Sequence, residues 1–143
     1  HTHRDPQKFV GSAASTIAML HWLRSDNVDP KVYGQVALGG FSYMLGNVMD
    51  LRKSTALPDD QFVDSHYLDL IEDPVSAIQK IYRRASLDWP DGHEARILGY
   101  LRDKPKGKFG KHEYTLEEYG LDTAVVERTY AQYVDHYRIQ SEN

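Results

Sequence analysis

The chain has 143 residues, 41% hydrophobic and 11% aromatic, which is enough apolar mass for one core and too much for a disordered segment. Its formal charge of -4 offers no broad attraction for a polyanion, so nucleic acid is not expected as a partner, and any anion must be held by a local cluster of basic groups. No stretch has the length of an apolar membrane span and no basic-led apolar leader opens the chain; zero cysteines excludes disulfides, a thiol nucleophile and a zinc-thiolate site within these residues and fits a cytoplasmic protein.

Asp5-Pro6 is a helix start: the Asp carboxylate can accept from the first amides, and Pro at the first helical position gives up no hydrogen bond. The helix is expected to run to about Leu23, with Val10, Ala13, Ala14, Ile17, Leu20 and Leu23 forming a buried stripe at spacings of three and four. Asp29-Pro30 repeats the signal for a long helix through about Arg52, carrying Val36, Leu38, Phe41, Met44, Leu45, Val48, Met49 and Leu51. Gly34, Gly39, Gly40 and Gly46 oppose that helix, each costing about 1 kcal/mol against Ala, and close packing against a neighbour is the expected reason they are tolerated. Phe62 and Val63, within Gln61 to Tyr67, suit a short strand. Asp73-Pro74 starts a further helix with Val75, Ile78, Ile81 and Tyr82, ending before Trp89-Pro90. Another is expected from about Asp91 to Lys104, with Ala95, Leu98 and Leu101 inward. The Gly/Lys-rich run from Pro105 to His112 has no period and reads as a loop. The last helix, from about Asp122 to Tyr137, buries Val125, Val126, Tyr130, Tyr133, Val134 and Tyr137. One strand cannot make a sheet, because its backbone groups need a partner. Either His1-Thr2-His3-Arg4 is the tail of a second strand or the sheet is completed elsewhere, and both options imply a folding unit larger than this chain.

Three separated pieces bear on chemistry. His3-Arg4-Asp5-Pro6 followed by Ser12 puts an Arg fork and a hydroxyl beside a helix amino terminus, where the amide dipoles favour an anion. The run from Phe62 to Pro74 places Tyr67 at a strand end. Lys106-Gly107-Lys108-Phe109-Gly110-Lys111 combines glycines that let amides approach an anion with lysines that supply charge.

In order and spacing these pieces resemble the family of sulfotransferases that use 3'-phosphoadenosine 5'-phosphosulfate (PAPS), in particular its bacterial subgroup. In that family an Arg at a strand end and a Ser eight positions later bind the 3'-phosphate, and Arg4 and Ser12 match both type and spacing. The family's Tyr-Glu-Asp-Leu segment, whose Tyr meets the adenine, is matched by Tyr67-Leu68-Asp69-Leu70, with Leu68 departing from Glu. Its Arg-Lys-Gly-x-x-Gly loop is matched by Pro105-Lys106-Gly107-Lys108-Phe109-Gly110, with Pro105 departing from Arg. The Tyr-x-Leu-Glu-x-x-Gly-Leu continuation of the bacterial subgroup is present as Tyr114-Thr115-Leu116-Glu117-Glu118-Tyr119-Gly120-Leu121. The likeness extends from His3 to about Ile139.

The resemblance implies an α/β, three-layer, P-loop-like sulfotransferase fold, of which residues 1–143 are the mostly helical carboxyl-terminal part of a single domain, with one or two strands. It implies transfer of a sulfuryl group from PAPS to a hydroxyl or amine acceptor, with Arg4, Ser12, Tyr67, Lys106, Gly107 and Lys108 holding the nucleotide. The family's phosphosulfate loop and its usual catalytic His or acid precede the Arg-Asp-Pro segment and are absent here, so the missing amino-terminal half is an expected partner, and the catalytic residues are unknown.

Simpler assignments exist for the same residues. Arg4 can be a solvated helix-start residue, Ser12 a packing residue, Tyr67 a half-buried core aromatic and the lysines a solvated charge run. Together they would make a non-catalytic helical interaction module or a sulfotransferase remnant. No metal is expected: His1 and His3 form a pair, but no carboxylate or third His stands at ligand spacing in the sequence.

Overall fold

A computed structural model describes every residue except Thr55, Lys106, Phe109, Lys111 and Asn143. The elements in chain order are β1 (Thr2–His3), α1 (Pro6–Trp22), α2 (Pro30–Lys53), a 3-10 turn (Asp59–Gln61), β2 (Ser65–His66), α3 (Tyr67–Glu72), α4 (Pro74–Arg84), α5 (His93–Asp103), a second 3-10 turn (Glu117–Tyr119) and α6 (Thr123–Tyr137). They fall into two compact units: His1–His3 with Leu57–His112, and Arg4–Ala56 with Glu113–Asn143.

In the second unit α1, α2 and α6 pack around one core. Asp5, Asp29 and Asp122 cap these helices, each carboxylate accepting from an amide two residues on, at 2.9, 3.0 and 2.7 Å respectively. Val10, Ala14 and Ala18 of α1 meet Ala37 and Leu38 of α2 and Val126 and Tyr130 of α6, with Tyr119 and Leu121 closing the end. Phe9 sets its ring edge-on to Tyr130 at 5.4 Å between centroids and to Phe41 at 5.6 Å, an arrangement aromatic quadrupoles favour. The Tyr130 hydroxyl donates to the Leu38 carbonyl at 2.8 Å, so the buried phenol keeps a partner. Met49, Tyr133 and Tyr137 form an adjoining cluster.

Close approach explains Gly34 and not the other glycines of α2. A Cβ on Gly34 would lie 1.9 Å from the Tyr119 carbonyl oxygen, whereas Gly39, Gly40 and Gly46 have nothing within 4 Å of theirs. The predicted stripes are also only partly inward: Leu20 of α1, Leu23 just past its end, and Val36, Met44 and Leu51 of α2 are exposed. These helices carry apolar residues over a wider arc than the described elements cover.

In the first unit β1 and β2 pair in parallel, Thr2 opposite Ser65 and His3 opposite His66. The segment His1-Thr2-His3-Arg4 thus contains the second strand that the sequence left open. The strand expected within Gln61 to Tyr67 forms there, at Ser65–His66 and not at Phe62-Val63 themselves, because pairing with β1 and not residue preference decides where the ladder forms. Tyr67, expected at a strand end, directly follows it as the first residue of α3, a helix the sequence did not suggest. Asp73 caps α4, its carboxylate accepting from Ser76 N at 3.0 Å. In α5 the expected inward residues Ala95, Leu98 and Leu101 are exposed, since the described neighbours of this helix offer them no covering surface. Trp89 meets Tyr82 and His93 edge-on at 5.1 and 4.7 Å between centroids, and Tyr82 and His93 lie tilted at 5.3 Å, which ties the start of α5 to α4. No described helix is long and apolar enough to cross a membrane.

Candidate functional site

Arg4 stands where β1 turns into α1, and its fork already holds an anion. Nε donates to Glu142 Oε1 at 2.9 Å and Nη2 donates to Glu142 Oε2 at 3.0 Å, a two-point contact across 138 residues. The side chains are 32% and 11% exposed, so the pair is sheltered from screening more than a surface bridge is. Asp5 completes the arrangement. Its Oδ1 caps α1 through Gln7 N at 2.9 Å, its Oδ2 accepts from Glu142 N at 2.9 Å, and its own N–H donates to Glu142 Oε1 at 3.3 Å. The amino end of α1 is therefore a place where backbone donors, an Arg and two carboxylates are packed together.

Ser12 is half-buried in the same helix, and its carbonyl accepts from the Thr16 hydroxyl at 2.8 Å. Arg4 and Ser12 thus share one unit. Tyr67, Gly107 and Lys108 belong to the other. Tyr67 is half-buried. Gly107 has φ +84°, a conformation that favours glycine. The Lys108 ammonium donates to the Asp103 carbonyl at 2.7 Å, at the carboxyl end of α5 where a cation meets the negative pole of the helix. Lys106 lies outside the described residues.

The sheet carries a second polar cluster. Because β1 and β2 are parallel and in register, His1, His3, Asp64 and His66 share one sheet face, and the neighbouring positions Thr2 and Ser65 meet through their hydroxyls at 3.2 Å. His3 is buried, with Nε2 2.8 Å from Asp64 Oδ1. An ionised carboxylate has no proton to give, so Nε2 is the donor. Burial holds the His3 imidazole below its ordinary range, against the opposing pull of Asp64. Nitrogens of His1 and His3 and an oxygen of Asp64 lie within 4.8 Å of one another, and these are the residues able to hold a metal ion among those described. Sequence spacing missed this grouping because Asp64 comes 61 residues after His3. Nothing local announced Glu142 either.

The model of the sulfotransferase family matches residues 1–91, well over half of the chain, and includes β1, Arg4, Ser12 and β2 through Tyr67. The chain belongs to the sulfotransferase family. Among solved structures it is similar to the sulfotransferase STF9 from Mycobacterium avium, with 26% identity, a TM-score of 0.82, and alignment over 99% of this chain and 36% of that one. The family fold thus accounts for the mostly helical architecture with its parallel strand pair, and this chain spans little more than a third of the length of that solved relative. No curated protein sequence matches.

Proposed function

We propose that these residues are the carboxyl-terminal part of a single sulfotransferase domain of bacterial type, working in the cytoplasm, and that they hold the 3'-phosphate and adenine of PAPS. The whole protein would move a sulfuryl group from PAPS to a hydroxyl or amine. The acceptor atom attacks sulfur in line and the bond from sulfur to the 5'-phosphate oxygen breaks. The acceptor proton passes to a base contributed by the rest of the domain, and 3'-phosphoadenosine 5'-phosphate departs. Arg4, Ser12, Lys106, Lys108 and the Gly107 amide would bind phosphate, and Tyr67 would lie against the adenine. Their part is to position the donor and neutralise its charge.

The observation that carries this proposal is the engagement of Arg4: at the strand-to-helix junction its fork meets a two-oxygen anion, beside a capped helix start. A phosphate presents the same paired oxygens as the Glu142 carboxylate. The parallel strands add support, since ligands of open parallel sheets collect at the carboxyl ends of the strands, where Arg4 and Tyr67 follow β1 and β2.

The test is calorimetric titration of the full-length protein with 3'-phosphoadenosine 5'-phosphate and, in parallel, adenosine 5'-phosphate. Charge-assisted bonds to phosphate contribute about 1.5–3 kcal/mol each, so Arg4→Ala or Lys106→Ala should weaken the first ligand roughly tenfold to a hundredfold. The second ligand lacks the 3'-phosphate and should be hardly affected. Equal loss for both ligands, or no loss in a folded variant, would remove the 3'-phosphate assignment. A protein that bound neither nucleotide would be the remnant or interaction module.

A further inference from the structure

We infer that Glu142 is a positioning residue for Arg4, fixing the guanidinium before the donor nucleotide arrives. The inference rests on the assignment of Arg4 to the 3'-phosphate. Both Glu142 oxygens engage one edge of the fork: Nε reaches Oε1 at 2.9 Å and Oε2 at 3.2 Å, and Nη2 reaches Oε2 at 3.0 Å. Two-point contact of this kind fixes the plane of the guanidinium as well as its place. The carboxylate is anchored without help from Arg4, because Asp5 N donates to Oε1 and the Glu142 amide donates to Asp5 Oδ2. Asp5 in turn is fixed by its cap on α1. A chain of bonds thus runs from the helix start through Asp5 and Glu142 to Arg4.

Two opposed effects follow for a phosphate at the same guanidinium. An ordered Arg loses less conformational freedom on binding, which favours the ligand. A second anion nearby repels the phosphate, which disfavours it. Had Glu142 been held by Arg4 alone, the phosphate would displace it as a simple competitor. Its independent anchorage to Asp5 keeps it in place, and the rigid fork of an arginine, with donors along more than one edge, can serve two anions at once. The guanidinium charge lying between the two anions offsets their repulsion, which leaves the ordering of the arginine as the net effect of the carboxylate, and loss of the carboxylate should weaken the nucleotide.

The experiment measures binding of 3'-phosphoadenosine 5'-phosphate and of adenosine 5'-phosphate to the full-length protein, for Glu142→Ala, Glu142→Asp, Arg4→Ala and the Arg4→Ala/Glu142→Ala pair. Glu142→Ala should weaken the 3'-phosphorylated ligand by roughly threefold to tenfold with the simpler nucleotide unchanged, the size expected for one side chain ordered at binding. Glu142→Asp keeps the charge but withdraws the carboxylate by one methylene, so it should give the same selective loss if geometry is the cause. In the Arg4→Ala background the Glu142→Ala change should have no further selective effect. Unchanged or tighter binding of the 3'-phosphorylated ligand by either folded Glu142 variant overturns the inference, as does equal loss for both nucleotides. If Glu142→Ala does not fold, Glu142→Asp decides alone by the same criterion. Should Arg4→Ala itself fail to discriminate the two nucleotides, the 3'-phosphate assignment falls; should only the Glu142 variants fail to, the assignment stands and the positioning role falls.

Discussion

The unit built from α1, α2 and α6 has an interior in which Val10, Ala14, Ala18, Val126 and Tyr130 are almost wholly removed from solvent, whereas in the unit built from the strand pair, α3, α4 and α5 only Ala77 and His3 are buried among the described residues. Apolar burial stabilises at about 25 cal/mol per Å², so the first of these regions supplies its own cohesion. The second is held by a short ladder, the Asp73 cap and the Tyr82, Trp89 and His93 rings, while Leu98, Tyr100 and Leu101 of α5 stay exposed. A well-cored scaffold thus carries Arg4 and Ser12, and a loosely cored one carries Tyr67, Gly107 and Lys108.

Hydrogen exchange on the isolated 143 residues should expose this contrast most strongly. Core amides of α1, α2 and α6 should be protected roughly a thousandfold or more beyond those of α4 and α5, given that a cored domain resists opening by about 5 kcal/mol while a coreless region opens locally. A single sharp melt with uniform protection would break the comparison.

Packing within the cored unit gives the next largest effect. Gly34→Ala drives a methyl into the Tyr119 backbone and should destabilise by about 3 kcal/mol or more in denaturant titration. Gly39→Ala in the same helix meets open space and should be neutral or stabilise by up to about 1 kcal/mol. Similar costs for the two would show that α2 is not held against the second 3-10 turn as described.

The smallest effect concerns His3, the buried polar residue of the thinly cored unit. Its folded-state pKa is lowered by burial, so between that value and the unfolded value near 6.5 the unfolded chain binds more protons. Stability should therefore fall as pH drops below about 6.5, down to the folded pKa, and be recovered as pH rises. Asp64 opposes this shift, while His66 acts in the same direction as burial. His3→Gln should flatten the melting temperature of the full-length protein between pH 7 and 5, and a profile unchanged by that substitution would assign the slope to other groups.

The helix starts were readable because their cause is local. Asp5-Pro6, Asp29-Pro30 and Asp73-Pro74 each carry the capping acceptor and the ring that suits the first helical position, and all three open helices. The burial of Val126, Tyr130, Tyr133 and Tyr137 was likewise visible in the spacing of α6. Where the determinant was distant, the sequence misled. β2 sits at Ser65–His66 because β1 pairs with it there, and Leu98 of α5 is exposed although its spacing reads as inward. At the candidate site the same rule holds. Arg4 could be placed at a strand-to-helix junction from its neighbours, but its contact with Glu142 and the contact of His3 with Asp64 join residues that no window of the sequence contains.

The Arg4–Glu142 contact also sets an order of events during synthesis. At about 5–20 residues per second, the ribosome needs roughly 7–30 s to add the 138 positions that separate the two side chains. In that interval β1 and α1 are already outside the ribosome or in its exit tunnel, and the strand pair, whose partners are 63 residues apart, can close well before Glu142 has been made. The two-point contact of Arg4 with Glu142 therefore forms only late in the nascent life of the protein, after the strand pair is free to close.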